Sequence, residues 1–87
     1  MPPRALERVA VIGAGNGGHA MAAHIILQGL PVRFCEMPRF ADNIRPALER
    51  KGIEITGVVG EGFVRPELIT TDLAQAIKDV SHIFVVT

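Results

Sequence analysis

The sequence has no tryptophan, no tyrosine and a single cysteine, Cys35, in 87 residues. One cysteine excludes an internal disulfide, and a reducing, cytoplasmic setting is the simplest one for such a chain. Charge of either sign is not in excess: Lys and Arg number 9, and so do Asp and Glu. Without a basic face, no nucleic-acid partner is expected. Long apolar runs are also missing. Runs such as residues 9–12 and 83–86, four residues each with none longer, fall far short of the ~20 residues that span a bilayer. Residues 1–8 mix Pro, Arg and Glu and lack the apolar core of a signal peptide. Membrane insertion and secretion are therefore not expected. His19, His24 and His82 share no ligand spacing with one another or with Cys35, so no metal site is expected.

What is present suits one small globular domain. Apolar residues make up 48% and charged residues 21%, which is not a disordered composition. A chain of this size buries only roughly 60–65% of its unfolded surface. It folds with little margin or belongs to something larger.

Residues 8–12 form a short β-rich run that ends in glycine. An alanine-rich stretch, residues 19–28, then closes on Gly29, a plausible glycine for ending a helix. Residues 32–36 read as a second strand. Pro38 suits the first turn of a helix running to Gly52, but Pro46 inside it predicts a kink, or two short pieces meeting near Arg45. Residues 53–64, broken by Gly57, Gly60 and Gly62, read as a short hairpin, and residues 67–70 as a further strand. Thr71 or Asp72 caps a helix over residues 73–78, with Leu73, Ala76, Ile77 and Val80 on one apolar face. Residues 82–86 read as a last buried strand. Strands alternating with helices predict an α/β fold, a partial Rossmann-like doubly wound parallel sheet with an inserted short hairpin.

The main chemical signal is Gly13-x-Gly15-x-x-Gly18, placed between a strand and a helix. The pattern alone is common. Its context is more specific, because Glu36 ends the next strand roughly 20 residues on, the spacing of a dinucleotide-binding loop. Gly13 permits the tight turn, Gly15 lets a pyrophosphate approach the backbone, and Gly18 lets the helix pack on the strand. Free N–H groups near Asn16 and Gly17 face the phosphate. Glu36 accepts hydrogen bonds from a ribose diol and repels a 2′-phosphate, which favours NAD over NADP. Arg39, three residues further on, weakens that preference. No Gly-Lys-Ser/Thr follows the loop, so a phosphate-transferring P-loop is excluded. His19 could approach the phosphates but reads better as a solvated helix residue, and Cys35 as an inert core thiol.

Residues 9–24, with their Gly-Ala-Gly-Asn-Gly-Gly loop, then Gln28-Gly29 and residues 32–36, resemble the N-terminal domain of the octopine/nopaline (opine) dehydrogenase family. That family sits in a broader group with the glycerol-3-phosphate and 6-phosphogluconate dehydrogenases. Downstream, residues 53–62, 69–72, 74–77 and 83–86 keep the same order. The resemblance implies a nicotinamide enzyme that reductively condenses an amino acid with a 2-oxo acid and forms homo-oligomers. It implies that residues 1–87 are the N-terminal part of a dinucleotide-binding domain, with the substrate domain and catalytic residues absent, and that this piece alone is inactive. Two alternatives remain open: another dehydrogenase of the broader group, including a ketopantoate-type reductase, or a non-catalytic nucleotide-binding module.

Overall fold

The computed structural model describes residues 7–55 and 62–86. Strand β1 (Val9–Ile12) leads into helix α1 (Asn16–Leu27), which returns the chain to β2 (Val32–Cys35). A 3-10 helix (Pro38–Asn43) and α2 (Arg45–Arg50) follow. Then come a pair of short strands, β3 (Ile53–Ile55) and β4 (Gly62–Val64), and finally β5 (Leu68–Thr70), α3 (Leu73–Ile77) and β6 (His82–Val85).

Strands β5, β2, β1 and β6 form one sheet in that order, and every pairing is parallel. The chain moves outward from β1 through β2 to β5, then crosses back to place β6 on the other side of β1. Val9 is in register with Val32 on one side and with His82 on the other. The doubly wound α/β sheet expected from the sequence is therefore present. The β3–β4 pair is antiparallel, with Ile53 opposite Val64, as an inserted hairpin requires. Its Gly57 and Gly60 lie outside the described residues.

The two faces of the sheet are covered unequally. The pleat sends Val9 and Val11 of β1 to one side and Ala10 and Ile12 to the other. On the first side they join Val32, Phe34, Ala22, Ile25, Ile44 and Ile53 in the larger core, under α1, α2 and the hairpin. On the second side Ala10 and Ile12 form a smaller core with Cys35, Ala76 and the half-buried Val80. At the end of the sheet where the strands begin, Glu67 pairs with both Arg8 and Arg33. Arg33 also donates to the carbonyls of Gln75 and Lys78 at 2.8 Å. This ties the starts of three strands to the end of α3.

Helix boundaries follow local chemistry. Gly29 at φ +93° ends α1, as its place after the alanine-rich stretch predicts. The helix begins earlier than residue 19, at Asn16, so Gly17 and Gly18 lie in its first turn. Pro46 divides the next segment as expected: the 3-10 turn ends at Asn43, and α2 starts afresh with proline in its first turn, where no donor is lost. Of the two candidate caps for α3, Asp72 acts, accepting from the N–H groups of Ala74 and Gln75.

Two expectations change. Strand β6 forms in the expected place but is not buried: Ile83, Phe84 and Val85 are 51%, 41% and 70% exposed. It is an edge of the sheet among the described residues, as β5 is on the other side, so one long side of it has no neighbour. The apolar face of α3 is likewise covered only in part. Ala76 is buried, but Leu73 and Ile77 remain largely exposed, because a five-residue helix reaches few partners.

Candidate functional site

The strand order reverses between β1 and β6, and the crevice it leaves lies at the carboxyl ends of these strands. Ligands of open α/β sheets bind at such a reversal of strand order. A cleft of about 420 Å³ lies there, bordered by the glycine loop, Glu36, Met37, Phe40, Asn43 and Val86.

The three fingerprint glycines meet different surroundings. Gly13 turns at φ +111°, and a Cβ on it would fall on the carbonyl oxygen of Val86. A Cβ on Gly18 would fall on the carbonyl oxygen of Gly13. Both positions are closed by the protein's own backbone. Gly15 differs: nothing lies within 4 Å of where its Cβ would be, and its backbone is extended at φ −70°, ψ −169°. No internal packing or turn therefore requires glycine at 15.

Gly15 is also the N-cap of α1, with no side-chain hydrogen bond to the exposed turn and no acidic residue within it. The first N–H groups of a helix have no carbonyl one turn back, so those of Gly15, Asn16 and Gly17 remain open for an external acceptor. Twelve residues of helix stand behind them, with the positive end of the helix dipole toward the cleft. Asn16 and Gly17 are exposed there.

Glu36 is only 5% exposed, and donors surround it. Its Oε2 accepts from the N–H of Ala14 at 2.8 Å and from Asn43 Nδ2 at 3.3 Å. Its Oε1 accepts from the N–H of Met37 at 2.9 Å. Burial alone would raise the carboxyl pKa. The hydrogen bonds from Ala14, Met37 and Asn43 outweigh it and hold the pKa below the ordinary value of 4.5. The side chain is thus a fixed anion at neutral pH. It joins the glycine loop, the end of β2 and the 3-10 helix.

Other candidates lie outside the cleft. His19 packs its ring edge-on against Phe34, with centroids 4.9 Å apart, and its Nδ1 lies 3.1 Å from the Gly15 carbonyl. It is half-buried, packing on one side and meeting solvent on the other. His24 and His82 are exposed. Among the described residues, no three His, Cys, Asp or Glu side chains gather as a metal site would require. Arg39 lies with its guanidinium 5.0 Å from the Phe40 ring centre. Cys35 is fully buried, and its thiol is pushed up to about 11, first by burial and then by the charges of Glu36 and Asp72. The folded protein should therefore resist Ellman's reagent at pH 8 and react fully in denaturant. Rapid native modification would contradict the burial.

Sequence reasoning missed Met37, Phe40, Asn43 and Val86. Only Pro38, as a helix starter just after Glu36, signalled that a turn would fold back over the carboxylate. Among the described residues that line the cleft, Glu36 is the one with an ionisable side chain. The arrangement can hold an anion on backbone N–H groups and a hydroxyl on a carboxylate, but it offers no free acid, base or nucleophile.

No protein-family model matches the chain. Over 77 residues, 88% of its length, it is 38% identical to the opine dehydrogenase of Arthrobacter sp. (strain 1C). Over 80 residues, 92% of its length, it is 34% identical to the NAD(P)+ glycerol-3-phosphate dehydrogenase of Neisseria gonorrhoeae (strain NCCP11945). These matches cover 21% and 23% of the two relatives, so the chain spans about a fifth of their length. The homology is to dehydrogenases.

Proposed function

We propose that the chain is the dinucleotide-binding portion of an NAD(P)-dependent oxidoreductase, and that it holds the adenosine diphosphate half of the cofactor. The observation that carries this reading is Gly15. The residue is glycine although neither fold nor turn requires it, and it stands at an uncapped helix N-terminus. A pyrophosphate resting against the backbone supplies the missing reason.

In this reading Gly13, Gly15, Asn16, Gly17 and Gly18 form the pyrophosphate cradle, with Gly13 and Gly18 shaping it from behind. Glu36 takes an adenosine ribose hydroxyl, and its fixed charge disfavours a 2′-phosphate, so NAD is the preferred cofactor. The cofactor, when bound, supplies hydride chemistry. The residues of this chain bind and orient it. The whole protein reductively condenses an amino acid with a 2-oxo acid, as the opine-type similarity suggests, and works as a homo-oligomer. The Neisseria similarity supports a second reading, an oxidoreductase acting on a phosphorylated polyol. Both readings place substrate contacts and catalytic groups outside these residues.

Calorimetric titration tests the proposal. NADH and ADP-ribose are expected to bind this chain with similar affinity, NADPH at least about tenfold more weakly, and no turnover should occur. A folded chain that binds none of the three would refute the reading.

A further inference from the structure

Asn43 ends the 3-10 helix beyond Glu36, and its Nδ2 reaches Glu36 Oε2 at 3.3 Å. The same oxygen accepts from Ala14 N at 2.8 Å. A carboxylate oxygen offers two in-plane lone pairs, so Oε2 is fully engaged. Oε1 accepts from Met37 N at 2.9 Å and has one acceptor position left. Glu36 borders the cleft, and that remaining position is the one a ligand hydroxyl would meet.

We propose that Asn43 is a positioning residue for cofactor choice: by engaging Oε2 it pins the carboxylate plane and leaves one acceptor for an unphosphorylated ribose. Without it the carboxylate is held by the N–H groups of Ala14 and Met37 alone, Oε2 regains an acceptor position, and the aim of the group at the hydroxyl loosens. Asn43 also borders the cleft, but its effect on cofactor choice runs through Glu36. The inference rests on the dinucleotide reading above. It adds that discrimination between NADH and NADPH depends on a side chain outside the glycine fingerprint.

Asn43 is exposed, so its variants should fold. In Asn43→Ala, NADH should bind about fivefold more weakly, on the scale of one ordinary net hydrogen bond. NADPH should not weaken, and the preference between them should narrow. Asn43→Asp gives a signature that a purely structural role would not. At pH 8 two carboxylates face each other and NADH binding should fall. Near pH 5.5 a shared proton restores a donor to Glu36, and binding should recover toward wild type. The other titratable groups on neighbouring segments include His19 on α1, Cys35 on β2, Arg39 and Asp42 in the 3-10 helix, and Asp72 at the cap of α3, and the wild-type chain at both pH values accounts for them. Asp42 pairs with Arg45, and Cys35 stays neutral across this range.

The test is calorimetry with NADH and NADPH on the wild-type chain and both variants at the two pH values, with far-UV circular dichroism to monitor folding. Wild-type binding with an unchanged NADH:NADPH ratio in Asn43→Ala overturns the proposal and leaves the dinucleotide reading standing. So does an Asn43→Asp variant without pH-dependent recovery. A folded wild-type chain that binds neither nucleotide overturns both.

Discussion

Gly18→Ala is expected to cost at least about 3 kcal/mol and to move the urea midpoint sharply downward. The added methyl would meet the carbonyl oxygen of Gly13. That atom belongs to the turn closing β1, so no rotamer change relieves the clash. Moving it means lifting α1 from the sheet, where Ala22 and Ile25 pack on Val9 and Val11. A domain of this size has on the order of 5–10 kcal/mol to lose. Gly15→Ala is the matched control. Its methyl meets nothing within 4 Å, and stability should change by no more than about 1 kcal/mol, the scale of an N-cap change. NADH affinity should nevertheless fall at least about tenfold, because the methyl projects where the pyrophosphate would rest. With no tryptophan or tyrosine, urea unfolding is best followed by far-UV circular dichroism. Equal midpoints for the two variants would contradict the packing. Undiminished NADH binding by Gly15→Ala would contradict the phosphate cradle.

Glu36→Gln is expected to destabilise the protein by about 2–3 kcal/mol at pH 7. The amide has one carbonyl oxygen to offer where the carboxylate serves two backbone N–H groups, of Ala14 and Met37. Its NH₂ group must face one of those donors in a buried site. The pH dependence follows from the lowered pKa of Glu36. A carboxyl whose pKa is lower folded than unfolded stabilises the fold above its unfolded value. That contribution fades as pH falls below about 4.5 and through the still lower folded value. The melting temperatures of wild type and variant should therefore differ most near neutral pH and converge in acid. A gap that stays constant from pH 7 to pH 3 would mean that the carboxylate charge is not what holds the loop.

The path of the chain was largely legible because its signals are local. Residues 8–12, the glycine turn, the alanine-rich helix ending at Gly29 and the strand before Glu36 each read from a few neighbouring residues. So did the break at Pro46, since a proline tolerates only the first turn of a helix. The parallel sheet then followed from alternation alone. Burial was less legible. Residues 82–86 carry the composition of a core strand, yet β6 lies at an edge with its apolar side chains exposed. Composition records what a strand is suited to pack against, whereas exposure depends on which neighbours are there.

The glycine spacing and the acid beyond it, read along the chain, identified a loop suited to phosphate and a carboxylate suited to ribose. They could not separate the three glycines. Only the folded backbone shows that Gly13 and Gly18 are closed off by carbonyl oxygens from residues 86 and 13, while Gly15 faces open space. Nor could they show that Glu36 is buried and bound by donors from three segments, with Asn43 among them. Residue type and local spacing determine which conformations and charges a segment can offer. Which of its lone pairs are already engaged, and where a methyl would collide, depends on atoms brought near from elsewhere in the chain, and only the tertiary structure sets those.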